Sequence, residues 1–256
     1  MSEWVALAIA MAAACVMVIA VVVLRQRRVG EDEDPSETPD VIEYMTMMIG
    51  VIYAIVLGLA IAGVWEARNT AQDNAFNEAQ ALHEMSARAQ VYPPAVRDRV
   101  RADIDAYVSY VVNTEWTHMR EHESLSPRGT ELLEQVRRDI TNRVPQGELE
   151  SQTYQSMVDL VAAADESRNI RGQNMGPTMP GLVWFGLIVG AVVTVGMMFT
   201  LQIRRSAREL LLAGAFSALI AFLLFLIWDF DDPFGRGLGV TTQPFLDLFS
   251  PLDPPC

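Results

Sequence analysis

The sequence predicts an all-α protein, with four transmembrane helices in two pairs flanking a membrane-rooted four-helix bundle domain. Three observations lead there. Four apolar blocks of about 20 residues have no charged side chain in their interiors, and about 20 residues rising 1.5 Å each span a hydrocarbon core. Between the second and third blocks, apolar residues recur at three- and four-residue steps, the period of amphipathic helices. Mean hydropathy is positive although 20% of the residues are charged, so the apolar residues must be gathered into blocks.

The first span lies within residues 1–24, its apolar run extending from Trp4 to Leu24. Met1-Ser2-Glu3 lacks the positive charge of a secretory leader, and the run ends in Arg25-Gln26-Arg27-Arg28, a stop-transfer flank. We therefore expect a helix of the mature protein. Residues 25–44 carry seven acidic side chains with Pro35 and Pro39 and read as an acidic linker. The second span covers residues 45–65.

Residues 66–180 form the water-exposed helical domain. From Glu66 to about Ala89 no Gly or Pro interrupts the continuation of the second span, and Ala71, Ala75, Ala79, Leu82 and Met85 mark one face. A second helix follows Pro94, where a proline in the first turn costs no hydrogen bond. Its stripe is Val96, Val100, Ile104, Tyr107, Val108, Val111, Val112, Trp116 and Met119. Ser124 to Gly129 reads as a turn, with Thr130 expected to cap a third helix bearing Leu133, Val136 and Ile140. After Val144-Pro145-Gln146-Gly147, a fourth helix carries Tyr154, Met157, Leu160, Val161, Ala164 and Ile170. Four stripes must bury against each other, which predicts the bundle. The third span (182–201), a short Arg-rich connection (202–209), the fourth span (210–228) and an acidic, Pro-rich tail (229–256) complete the chain.

Charge bounds the partners. A net charge of −13 argues against nucleic acid, whose phosphates need a basic surface, and against a polybasic lipid anchor. The lipid bilayer is the expected partner. All 19 basic residues are Arg, a usage that fits a high-GC bacterial genome. Both short connections hold three Arg beside the membrane, so the positive-inside rule places them in the cytoplasm of a bacterial plasma membrane, with both termini and the helical domain outside. Cys15 and Cys256 have no ligand or disulfide neighbour in sequence.

Two groups of residues are candidates for function. Gly50, Ala54, Gly58 and Ala62 recur every four residues along the second span, and Gly186 and Gly190 make a shorter row on the third. Such rows let helices approach closely, either within one subunit or at a subunit or pore seam. At the domain's membrane face, Trp65-Glu66 and Trp228-Asp229 end two spans, followed by Asp231 and Asp232. These carboxylates call for cationic partners among Arg68, Arg168, Arg171 and Arg236, as a belt of salt bridges or a charged vestibule that selects ions. His118 and His122 stand four apart near Glu115, but the third ligand of a metal site is missing, and a surface pair is expected. The sequence holds no nucleophile–base pattern, phosphate-binding glycine loop or paired-cysteine motif, so neither a catalytic residue nor a cofactor is expected.

Several short stretches together resemble a bacterial family, the bestrophin-like domain proteins. They are Leu57-Gly58, Val64-Trp65-Glu66, Glu78-Ala79, Glu115-Trp116-Thr117-His118-Met119, Pro180-Gly181-Leu182-Val183-Trp184, and Trp228-Asp229-Phe230-Asp231-Asp232-Pro233-Phe234-Gly235 trailing to Gln243-Pro244-Phe245. Trp65, Trp116, Pro233, Gly235 and Pro244 are the family-motif positions, and the closing Asp-x-Pro-Phe type of ending, at Asp231 to Gly235, is the most specific piece. The resemblance, running from about residue 50 to about 245, implies a distant kinship with bestrophins, pentameric anion channels whose second helix lines the pore. It therefore implies a homo-oligomer with ions as partners. The competing expectation is a non-conducting scaffold or sensor whose helical domain binds a partner.

Overall fold

A computed structural model describes residues 40–198, 207–236 and 239–249. The first span, most of the acidic linker, the end of the third span, most of the Arg-rich connection and the last residues of the tail, with Cys15 and Cys256, lie outside them. Every regular element among the described residues is helical, as expected. The α-helices are α1 (Asp40–Arg88), α2 (Pro94–Tyr110), α3 (Trp116–His122), α4 (Pro127–Thr141), α5 (Glu148–Gln173), α6 (Gly181–Met198), α7 (Ala207–Phe230) and α8 (Gln243–Leu248). The chain divides into two compact units, with α1 passing from one to the other at Trp65.

The first unit consists of the N-terminal part of α1 with α6 and α7. Tyr53, Leu57, Ala60 and Val64 point from α1 into a core shared with Leu187 of α6 and Ile220, Ile227 and Phe230 of α7. Their steps of four, three and four trace one helix face. The Tyr53 hydroxyl donates to the Leu187 carbonyl (3.1 Å), so the one polar group in this contact is satisfied. Large apolar side chains cover the outside. Leu59 is 69% exposed and Leu182 81%, values that in water would be costly over so many residues. Two helices, α1 and α7, are long and apolar enough to cross a membrane, and only 22% and 28% of their most apolar stretches are buried, unlike the core helices of a water-soluble protein.

The second unit holds the rest of α1, helices α2 to α5 and the C-terminal segment from Asp232. Ala71, Ala75, Ala79, Leu82 and Met85 are all fully buried, and small alanines let the other helices come close. Pro94 opens α2 at its first position, and the whole apolar stripe from Val100 to Met119 is buried. Between α2 and α3 the chain makes one π-helical turn, Val111–Glu115. That extra residue per turn turns both Val111 and Val112 inward along with Glu115.

Two local expectations change. The cap of α4 is Ser126, whose side chain accepts from the Arg128 N–H, and Pro127 takes the first helical position. Proline's fixed φ suits that position, so the cap falls four residues before Thr130. The second concerns the tail. Residues 232–236 and 239–249 fold onto the helices and contribute Phe234, Val240 and Phe245 to the core, Phe245 being fully buried. Burying two phenylalanines outweighs the acidic, proline-rich character that reads as a tail in the sequence.

Candidate functional site

Four charged residues sit where apolar ones are expected. Glu78 follows Ala71 and Ala75 on the α1 stripe, and Glu115 follows Ile104, Val108 and Val111 on the α2 stripe. Arg168 and Arg171 continue Met157, Val161 and Ala164 along α5. All four are at most 2% exposed. They meet as a lattice of two acids and two bases, so its formal charge cancels.

Arg171 is the centre. Its guanidinium donates from Nε to Glu78 Oε2 (2.9 Å), from Nη2 to Glu78 Oε1 (2.9 Å) and to Glu115 Oε2 (3.3 Å), and from Nη1 to the Met119 sulfur. The Tyr107 hydroxyl donates to Glu78 Oε1 (2.6 Å). Arg168 donates from Nη2 to Glu115 Oε1 (2.5 Å) and to the Ser126 carbonyl, and from Nη1 to Thr130 Oγ1. Glu115 Oε1 also accepts from the Ser126 N–H. The lattice thus ties α1, α2, α4 and α5 together at one level. Burial alone would lower the Arg171 pKa, but Glu78, Tyr107 and Glu115 outweigh it and raise it, so the guanidinium stays charged. Burial and then the Glu78 charge push the Tyr107 phenol well above its ordinary value, and it remains a donor.

Gly129 of α4 makes this approach possible. A Cβ there would fall on the Glu115 carboxylate and 2.7 Å from Arg168 Nη2. The indole of Trp116 covers the lattice on one side, with the Arg171 Cζ 5.2 Å from its ring centre, a cation–π contact. Trp116 then links the lattice to the C-terminal segment. Its Nε1 donates to the Val240 carbonyl (3.2 Å), and Phe234 and Phe245 meet its ring edge-on. The segment is built for that contact. Asp232 Oδ1 accepts from the Gly235 N–H, and a Cβ on Gly235 would collide with the same carboxylate. The Val240 N–H donates to the Pro233 carbonyl (2.6 Å), and Pro244 occupies the first turn of α8.

Of the charged residues expected at the membrane face, two are buried in the helical domain. Arg168 and Arg171 lie inside the second unit, because two buried glutamates offer them a stronger and drier partner than an interface does. Within the first unit, Asp231 is buried and accepts from the Met179 N–H (2.7 Å) and the Trp184 Nε1 (3.0 Å), pinning the start of α6 to the end of α7. Asp229 is also buried. Asp232 serves the turn above, Arg68 and Arg236 are half-buried, and Glu66 is exposed. Trp65 packs edge-on against Phe230 (5.4 Å), while Trp228 lies against Phe225.

The small-residue rows separate in the same way. Ala54, Gly58, Ala62 and Gly186 are exposed and Gly50 half-buried, and a Cβ at Gly50, Gly58 or Gly186 would meet nothing within 4 Å. Gly190 differs, since a Cβ there would lie 2.6 Å from the Tyr53 ring. His118 and His122 stack at 4.3 Å on the outside of α3, with the Glu115 carboxylate turned inward, away from them.

Sequence reasoning named Arg168 and Arg171 but missed their partners. The signal was present in the stripes themselves, since Glu78, Glu115, Arg168 and Arg171 all fall at positions the apolar period reserves for the core.

A family model described as the Bestrophin-like domain matches residues 10–245. No curated protein and no solved structure gives a match. With two exposed apolar helices of spanning length, the match marks a membrane protein.

Proposed function

The chain belongs to the Bestrophin-like family, and from that premise we propose that it is one subunit of a homo-oligomeric, ion-conducting membrane protein with four spans per chain. The observation that carries the proposal is the division of faces on α1. Its packing face within the chain is Tyr53, Leu57, Ala60 and Val64, whereas Gly50, Ala54, Gly58 and Ala62 occupy a different face with open space at both glycines. In lipid, small residues favour close helix contact, because the hydrophobic effect gives helices no reason to associate there. A row of them left open among the described residues supports contact with a second copy, around an axis that brings the second spans together.

The orientation we propose keeps the helical domain and both termini outside a bacterial plasma membrane. Arg168 and Arg171 are taken up by buried carboxylates, and a loop as long as residues 66–180 is translocated largely regardless of its charge. The arginines of the two short connections then decide, and they favour the cytoplasm.

Stoichiometry in detergent by light scattering, followed by ion flux from proteoliposomes, tests the reading. We expect an oligomer that conducts. Gly58→Leu should shift it toward monomer and abolish flux while leaving subunit unfolding unchanged, because the site is open among the described residues. A wild-type monomer without flux overturns the proposal.

A further inference from the structure

His118 and His122 occupy successive turns of α3, and their rings stack with centres 4.3 Å apart and planes 18° from parallel. Residues four apart share one helix face, the spacing at which two imidazoles of a helix chelate a single ion. The tautomer of one ring is fixed as well. His122 Nδ1 lies 3.2 Å from the His118 carbonyl. A carbonyl only accepts, so Nδ1 holds the proton, and the lone pair of the neutral ring sits on Nε2 at its outer end. Histidines that ligate metals use this pairing, with one nitrogen on the ion and the other on a backbone carbonyl or carboxylate.

The backbone beneath the pair is held while the rings can tilt. Trp116 and Met119 are buried, and the Met119 sulfur accepts from Arg171. The Met119 carbonyl accepts from the N–H of Glu123, whose left-handed φ of 48° ends the helix. His118 is half-buried and His122 exposed. Two nitrogens bound to one ion at about 2.0–2.1 Å stand about 3 Å apart, so a small tilt of the rings closes the site without moving the helix.

The donors select the class of ion. Imidazole suits zinc, copper and nickel, whereas calcium and magnesium take oxygen ligands. Among the described residues no third His, Cys, Asp or Glu joins the pair, which leaves the other coordination positions to water and makes an exchangeable site. Exposed Glu121 and Glu123 flank His122 against the single base Arg120, and the last carbonyls of α3 add partial negative charge, so the local field favours a cation.

We propose that Nε2 of His122 and a ring nitrogen of His118 chelate one divalent transition-metal ion of the zinc, nickel and copper class. The proposal goes beyond conduction and does not depend on it.

Calorimetric titration of the full-length protein in detergent, purified without a histidine tag and stripped of metal, tests it with zinc, nickel, calcium and magnesium chlorides. Zinc and nickel should saturate at one ion per chain, and excess calcium or magnesium should not compete. His118→Ala and His122→Ala should each weaken zinc and nickel binding by at least about tenfold, since losing even an outer-shell partner of a ligand costs that much. His83→Ala should leave binding unchanged, because that ring packs against Phe249 elsewhere. Zinc should also raise the unfolding midpoint of the wild type and of neither α3 variant, and the midpoints without metal check that the variants fold. Absence of saturable zinc and nickel binding, or affinities unchanged in either α3 variant, overturns the proposal.

Discussion

The two units solve the same packing problem in opposite ways. In the membrane unit, the cluster around Tyr53 and Leu187 is apolar, the buried carboxylates Asp229 and Asp231 sit at the end of α7, the outer surface is apolar too, and the Tyr53 hydroxyl reaches across helices to a carbonyl. In the helical unit, the surface is polar while the core encloses two ion pairs and a phenol. The contrast follows from the solvent. Water drives apolar surfaces together but gives no direction, so five buried faces of Ala, Val and Met could slide past one another. A lattice of charged groups allows only one register, because any slip leaves a charge buried and alone. In lipid there is no such drive, and close approach at small residues sets the contact instead.

The largest effect should come from breaking the lattice on one side. Arg171→Met leaves Glu78 and Glu115 buried without their shared partner, and we expect a loss of about 3–5 kcal/mol. Thermal unfolding of the helical unit within the full chain in detergent would measure it. Arg171→Lys should rescue little, because a single ammonium cannot make the forked contact with Glu78. Replacing Glu78, Glu115, Arg168 and Arg171 together by apolar residues of similar size should recover most of the stability. If it does, the lattice specifies register more than it stabilises; if the quadruple variant is as weak as Arg171→Met, the contrast between the units is wrong.

One glycine in each unit gives a matched, smaller test. Gly129→Ala drives a methyl into the Glu115–Arg168 pair, and Gly190→Ala drives one into the Tyr53 ring. Overpacking of this kind costs about 1–3 kcal/mol. Alanine's better helix propensity returns up to about 1 kcal/mol at both positions, so the net difference isolates what each methyl strikes. A ring can tilt, whereas a carboxylate held by Arg168, Arg171 and Ser126 cannot move without losing a bond. Gly129→Ala should therefore be the more damaging in unfolding experiments, and the reverse order would show that the membrane unit is the more tightly packed.

Legibility followed the same line. The apolar period alone locates α2 to α5, since Val100, Ile104, Val108, Leu133, Val136, Met157 and Val161 are all buried where it places them. It misplaces the start of α4, because Ser126-Pro127 competes with Thr130 and the proline wins. Charge was harder to read. Arg168 and Arg171 resemble membrane-flanking residues by their distance from α6, and only their place on the stripe with Met157 and Ala164 shows that they point inward. The C-terminal segment was opaque for a different reason. Its order comes from partners more than a hundred residues away, such as Trp116 for Val240, and no local pattern encodes that.

The smallest expected effect concerns an acid pair outside the lattice and separates buried charge from half-buried charge. Asp103 of α2 and Asp139 of α4 interact, with Gln135 donating to Asp103 (2.6 Å) and Arg99 3.9 Å from Asp139. Burial, then the hydrogen bond and charge of Asp139, raise the Asp103 pKa above its ordinary value. A raised acid pKa contributes stability that is fully present below the unfolded value and is lost as pH rises through the folded one. Acidification across the carboxylate range should therefore strengthen the α2–α4 contact, while Asp103→Asn should flatten that dependence. Because both groups are partly solvated, the change should stay below about 1 kcal/mol. Unfolding midpoints of wild type and variant, compared through the carboxylate range and above it, decide the matter. Parallel curves would mean that Asp103 titrates as an ordinary surface acid. A variant curve flatter than the wild type would identify a shared proton between two helices, where the lattice above uses two arginines for the same task.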